Sequence, residues 1–214
     1  RTKAAEMFRL CAVLMHLLCE AAATARPTSY SGPSSKLPVF WLTKPNGSVV
    51  KNTQWEFVDQ RMIWKHVHPA DRVLMVGGNI GGACIMAAKA VHKPKQSACV
   101  EPNAELHTTL QHNLAANNAE LRLVRGAVSE RPLTLVPCNG VGRGTCSHTT
   151  PAVARAQLTN VTQVVPSVPL MWLQEQMFGS KQTGFTYMHF DCEGCACFFF
   201  KEYPHVLNEL RALT

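Results

Sequence analysis

The chain has 214 residues, 46% hydrophobic and 16% charged, which is enough to bury one sizeable core and too few for two. Its formal net charge is +7, yet Lys and Arg are scattered and no aromatic-plus-basic signature such as an RRM motif is present. That argues against a nucleic-acid partner and leaves the charge to solubility and attraction of an anionic substrate.

Residues 1–6 precede a candidate start at Met7 and read as upstream translation. From Met7 to Ala25 a positive residue, an apolar stretch of about ten and a small-x-small ending form the layout of a secretory signal. An organelle transit helix is the alternative. The stretch is too short, and too interrupted at His16, for a membrane span. Residues 26–38 are rich in Pro and Ser, so a linker is expected over 26–50, ahead of one domain over 51–214.

Trp55, Phe57, Val58, Met62, Ile63 and Val67 recur near helical spacing, which predicts a helix over 54–67 laid across the cofactor-side edge. An apolar run, Val73 to Val76, leads into Gly77-Gly78-Asn79-Ile80-Gly81-Gly82, then a small-residue helix over 83–91 and a strand over 97–100 ending in Glu101. This is one strand, helix, strand unit with a nucleotide-type ligand over its first turn. Asn103 is a good N-cap for a helix to 118, with Glu105 in its first turn and Leu106, Leu110 and Leu114 every four residues.

A third strand is expected over 121–128. Short β-type runs at 133–136 and 161–165 flank a Gly, Thr and Ser-rich loop, an excursion placed to shape an acceptor site. A helix over 169–178 precedes a fourth strand over 185–190, whose C-terminal end presents Asp191 where an open α/β sheet binds its ligand. A helix is expected over 203–213. On this reading the sheet stops after its fourth strand and that helix, so the domain is C-terminally incomplete and has an unpaired edge.

Glu101, at a strand end, can accept hydrogen bonds from two ribose hydroxyls. A dinucleotide fingerprint needs a second Gly where this chain has Asn79, so that backbone can approach a pyrophosphate. S-adenosylmethionine has an adenosine but no phosphates, and suits the spacing better. A glycine cluster by itself can be no more than a tight connection; the Glu-Pro-Asn downstream favours the cofactor. Cys192 and Cys195 have C-x-x-C spacing but no second ligand pair, so no metal is expected, and Cys192, Cys195 and Cys197 read as thiols packed beside a strand end. In an oxidising lumen Cys138 and Cys146 could close a small disulfide, and Asn46 and Asn160 stand in glycosylation sequons.

From Val73 onward the motif order resembles the FkbM-type methyltransferases, a class I, S-adenosylmethionine-dependent family, and the resemblance extends from about Trp55 to the C-terminus. Gly77-Gly78-Asn79-Ile80-Gly81 is similar to that family's G-A-N-I-G, Val100-Glu101-Pro102-Asn103 to its E-P-N, Gly126-Ala127-Val128-Ser129 to its A-V-S, and His189-Phe190-Asp191-Cys192-Glu193-Gly194 to its K-I-D-x-E-G. The resemblance implies a Rossmann-like α/β three-layer sandwich. It implies cofactor-binding positions at Gly77, Gly78, Asn79, Gly81, Glu101, Asn103 and Ala127, the last on the adenine side, and catalytic candidates at Asp191 and Glu193. Either carboxylate could serve as a base or orient the cofactor; equally, the two could form a structural pair at the start of the next helix. The expected acceptor is an oxygen of a small molecule or glycan. The chain departs from the pattern at Met75, where the family has an acidic residue, at His189, where it has lysine, and at Ala196, where it is again acidic. Those departures motivate an alternative: a catalytically degenerate binding or interaction module.

Overall fold

The computed structural model describes residues 36–137, 147–151, 163–180, 183–192 and 195–214. The signal-like segment, Cys138 and Cys146, the sequon at Asn160, and Glu193 lie outside the described residues.

The apolar run forms strand β3 (Val73–Val76), buried at every position. Burial on both faces is what a central parallel strand requires. Its neighbours are β4 (Ala98–Glu101) on one side and β11 (Tyr187–Phe190) on the other; β5 (Arg122–Arg125) and β12 (Ala212–Leu213) complete a five-stranded sheet of order β12-β11-β3-β4-β5. All four pairings are parallel. Alternation along β3 divides the core. Val73 and Met75 pack with helices α1 (Phe57–His66), α2 (Gly82–Ala90) and α3 (His107–Ala116). Leu74 and Val76 pack with α4 (Leu170–Phe178) and α5 (Cys195–Glu202). The three-layer, Rossmann-like α/β architecture is therefore present, with the crevice at the C-terminal ends of the strands.

The expected third strand is broken. Gly126 has φ +149°, and a Cβ there would lie 2.6 Å from the Pro166 carbonyl oxygen, so the chain leaves the sheet. Ala127 and Val128 form β6, which pairs in parallel with β10 (Ser167–Val168). Between them β7 (Leu133–Pro137) pairs antiparallel with β8 (Ser147–Pro151) and β9 (Gln163–Val165). The excursion thus carries one strand more than its apolar runs indicate, because β8 is built from Ser, His and Thr.

Two further expectations are corrected. The stretch assigned to a linker contains an ordered hairpin, β1 (Trp41–Thr43) with β2 (Val49–Lys51), whose Leu42 and Val50 enter the first core with Phe40. Asn113 of α3 clamps it: its Oδ1 accepts from Thr43 N–H at 2.8 Å and its Nδ2 donates to the carbonyls of Thr43 and Ile80 at 2.8 Å. The helix expected over 203–213 is also absent. Helix α5 comes earlier, at Cys195–Glu202; Pro204 opens a short 3-10 turn (Pro204–Asn208), since proline supplies no N–H to continue a helix. Ala212 and Leu213 then pair in parallel with Tyr187 and Met188, so the sheet continues past its fourth strand. The Arg211 guanidinium bonds the buried Asp71, which also accepts from Thr186 Oγ1 at 2.8 Å, and this fastens the strand to the start of β3.

Two disulfides are present among the described residues, Cys84 with Cys99 and Cys192 with Cys195. The second corrects the reading of Cys192 and Cys195 as packed thiols.

Candidate functional site

The glycine turn is held where two strands end. Asp191 N–H donates to the Val76 carbonyl at 2.9 Å and Gly77 N–H to the Val100 carbonyl at 3.0 Å. Gly77 has φ +100°, and a Cβ on it would stand 2.0 Å from the Asp191 carbonyl oxygen. Only glycine permits that approach, and the approach sets Asp191 against the turn. Gly81 caps the start of α2. Asn79 takes the left-handed conformation with φ +46°, which asparagine tolerates better than other side chains.

Glu101 is almost wholly buried, 4% exposed. Its Oε2 accepts from Gly78 N–H at 3.1 Å and Asn79 N–H at 2.7 Å, and its Oε1 accepts from Asn103 N–H at 2.7 Å. Burial raises its pKa above the usual carboxylate value despite those bonds, and the charge of Asp191 acts in the same direction. The carboxylate expected to grip a ribose is thus turned into the turn. Asn103 uses its side chain as a cap, accepting from Glu105 N–H at 3.0 Å. Ala127, Gly77 and Pro102 line a cleft across the ends of β3 and β4, closed on the far side by Cys192, Cys195 and Phe199. So Gly77, Gly78, Asn79, Glu101 and Asp191 are brought together, Ala127 lies along the adjoining cleft, and Gly81 and Asn103 support the turn through the backbone.

One residue of the site escapes the motifs. Glu56 stands at the N-cap of α1 with φ +46°, and its Oε1 accepts from Asn79 Nδ2 at 2.5 Å. Burial, then the neighbouring Asp191 charge, push its carboxyl up to about 7. The available signal is its place: a carboxylate between Trp55 and Phe57, at the start of a helix already expected on the cofactor-side edge.

The departures from the family pattern take physical form. Met75 is fully buried, and His189, its register partner on β11, is 3% exposed. His189 Nδ1 bonds Thr214 Oγ1 at 2.9 Å, and its Nε2 lies 3.9 Å from Asp59 Oδ1 with no hydrogen-bond partner. Burial outweighs the attraction of Asp59 and drops its pKa to about 4, so the ring is neutral at pH 7. Ala196 packs in the second core beside Phe199, where a carboxylate would be buried without water.

No protein-family model matches this sequence, and no curated protein matches it. Among solved structures the chain is similar to a proposed transferase from Pyrococcus horikoshii, at 15% identity and a TM-score of 0.30, over 42% of this chain and 37% of that one. It is also similar to a proposed O-methyltransferase from Klebsiella pneumoniae, at 12% identity and a TM-score of 0.35, over 90% of this chain and 56% of that one. The chain therefore spans little more than a third and little more than half of those two lengths. Likeness at that level carries no argument about activity. Strand order, parallel pairing and a glycine turn at the first strand's end define the class: a Rossmann-like α/β domain fitting the class I methyltransferase fold. Its crevice has the position of a small-molecule site.

Proposed function

We propose that the chain is an S-adenosylmethionine-dependent methyltransferase domain of the FkbM type, acting on an oxygen of a small molecule or glycan. The observation that carries the cofactor choice is electrostatic. The N–H groups of Gly78 and Asn79 already donate to the Glu101 carboxylate, and Glu56 and Asp191 stand beside the same turn. A pyrophosphate needs free N–H groups and a positive field; here the N–H groups of Gly77, Gly78, Asn79 and Gly81 are taken up within the protein, and the nearby carboxylates oppose a positive field. A cofactor with an adenosine, no phosphates and a cationic end suits it.

When bound, the cofactor supplies an electrophilic methyl group on its sulfonium. The chain supplies position and proton handling. Gly77 and Ala127 bound the cleft, and Asp191 sits at its edge with a carboxylate able to accept a hydroxyl proton from the acceptor. Glu193, two residues on, is the second candidate. The Cys84–Cys99 disulfide supports an oxidising compartment, in agreement with a secretory signal near the N-terminus.

One observation favours a second reading, a domain that binds but does not turn over: all three backbone donors around Glu101 are satisfied internally, which leaves its carboxylate turned from the ribose position. Calorimetric titration of the full chain with S-adenosylmethionine, S-adenosylhomocysteine and NAD in one buffer tests both. Tighter NAD binding sinks the cofactor assignment. Failure to bind any of the three favours the second reading.

A further inference from the structure

The two disulfides among the described residues differ in character. Cys84 and Cys99 are both 0% exposed, and their bond joins α2 to β4 across fifteen residues of chain. Cys192 and Cys195 are half-buried, three residues apart, and both line the cleft across from Gly77, Ala127 and Pro102. A cross-link stabilises chiefly by restricting the unfolded chain, and the shorter loop restricts it less. The packing around the second bond also has other ties. Phe199 packs against Phe190 and Phe200 at centroid distances of 5.1 and 5.2 Å. Tyr203, directly after α5, accepts from Leu170 N–H at 3.3 Å and donates to Glu130 Oε1 at 2.9 Å. A C-x-x-C bond that adds little to folding and faces a cleft has the placement of a bond that is open to exchange, whereas a sealed one is inert.

We propose that Cys192 and Cys195 form a redox-active site, a disulfide exchanged through the cleft with small thiols of the glutathione class. The proposal goes beyond methyl transfer and does not depend on the cofactor reading. A donor thiolate attacks Cys192 Sγ. The bond to Cys195 breaks, a mixed disulfide forms on Cys192, and Cys195 leaves as a thiolate that takes up a proton. Cys195 suits the leaving role because it opens α5, where the first N–H groups of a helix favour negative charge. A second donor thiolate then attacks the donor sulfur of the mixed disulfide and releases Cys192, which takes up the second proton. Two donor thiols end as one disulfide, and the chain ends with two thiols. The reverse sequence restores the bond from the donor's disulfide. The bond is recessed in a cleft wall, so a small thiol reaches it where the face of a second protein would not.

The test is differential alkylation of the full, folded chain in reduced glutathione. Thiols are blocked at successive times and located by fragmentation mass spectrometry, which also separates Cys197 from its neighbours. Cys192 and Cys195 should appear as thiols roughly tenfold or more faster than Cys84 and Cys99, which need a local opening before any thiol can reach them. Oxidised glutathione should then restore the Cys192–Cys195 bond without unfolding. Cys195→Ser, treated with oxidised glutathione, should hold a glutathione adduct on Cys192, since the residue that would resolve it is gone. Reduction of both pairs at one rate, a Cys192–Cys195 bond that resists glutathione, or failure of the bond to return overturns the proposal. The wild-type rates decide it even where Cys195→Ser does not fold.

Discussion

Met75 and His189 face one another across neighbouring parallel strands, and both are buried. In the family that the motifs resemble, these positions hold an acidic residue and a lysine; here both charges are absent and a thioether stands beside a neutral imidazole. Losing either charge alone would strand the other in the core, and leaving one buried charge unpaired costs about 3–5 kcal/mol. Losing both together need cost little. The two positions are therefore expected to be energetically coupled.

A double-mutant cycle can read that coupling. Met75→Asp alone should destabilise the chain by about 3 kcal/mol or more in urea unfolding, and His189→Lys alone should do the same. The double variant should recover a large part of the loss. Strict additivity of the two would show that the positions are independent.

Stability should depend on pH through two groups of opposite sign. His189 is depressed to about 4 in the folded chain from 6.5, so the unfolded chain binds the extra proton between those values; its contribution is present above 6.5 and disappears as pH falls towards 4. Glu56 is raised from 4.5 to about 7, so here the folded chain holds the extra proton, and stability is lost as pH rises from 4.5 through 7. Because the windows overlap, each is read as a difference from wild type. The melting temperature of Glu56→Gln should gain on wild type between pH 5 and pH 8; a constant difference would refute the assignment to Glu56. His189→Gln should lose its deficit as pH falls below 6.

Glu101 is expected to act on the fold as well as on any ligand. Glu101→Ala leaves the N–H groups of Gly78, Asn79 and Asn103 without their acceptor, at about 1–3 kcal/mol for a buried donor left unsatisfied. Chemical denaturation should show the loss in the ligand-free protein. An unaltered unfolding midpoint would mean that water replaces the carboxylate without cost.

Asp191→Asn should keep the shape of the strand end and remove a base. Once an acceptor is known, turnover should fall by about 10²–10⁴ if Asp191 takes the proton, while affinity for S-adenosylhomocysteine changes far less. Equal turnover would strike Asp191 from the catalytic candidates.

The disulfide between α2 and β4 links Cys84 to Cys99, fifteen residues apart, and a loop of that size is worth about 3 kcal/mol. Peptide mapping under non-reducing conditions should recover the linked pair, and reduction should lower the melting temperature. Free thiols at both positions would remove the support it lends to an oxidising compartment.

The parts of this fold that show in the sequence are those where local pattern and tertiary role coincide. The unit from β3 through α2 to β4 reads cleanly because a doubly buried strand must be apolar and a tight turn must be glycine. Asn103 reads as a cap and is one. What fails is set by distant partners. Strand β12 is two residues long and exists through its pairing with β11, and the hairpin at Trp41 is stable through α3, so neither leaves a periodic signal. The run Cys195 to Glu202 is too evenly apolar to distinguish a helix from a strand. Glu56 was invisible as a site residue because nothing in its neighbourhood on the chain indicates that the glycine turn, more than twenty residues on, comes back to meet it.

The clamp at Asn113 has a practical bearing on how the domain can be cut. A fragment beginning at residue 51, where composition first places the domain boundary, would leave behind Phe40, Leu42 and Val50 and uncover the apolar flank of α2 and α3 that they shelter. It would also strip Asn113 of its two bonds to Thr43, and that amide's remaining bond runs to Ile80 in the glycine turn. Trimming a segment that looks dispensable would thus loosen the glycine turn from behind. A minimal fragment therefore has to start before Leu37.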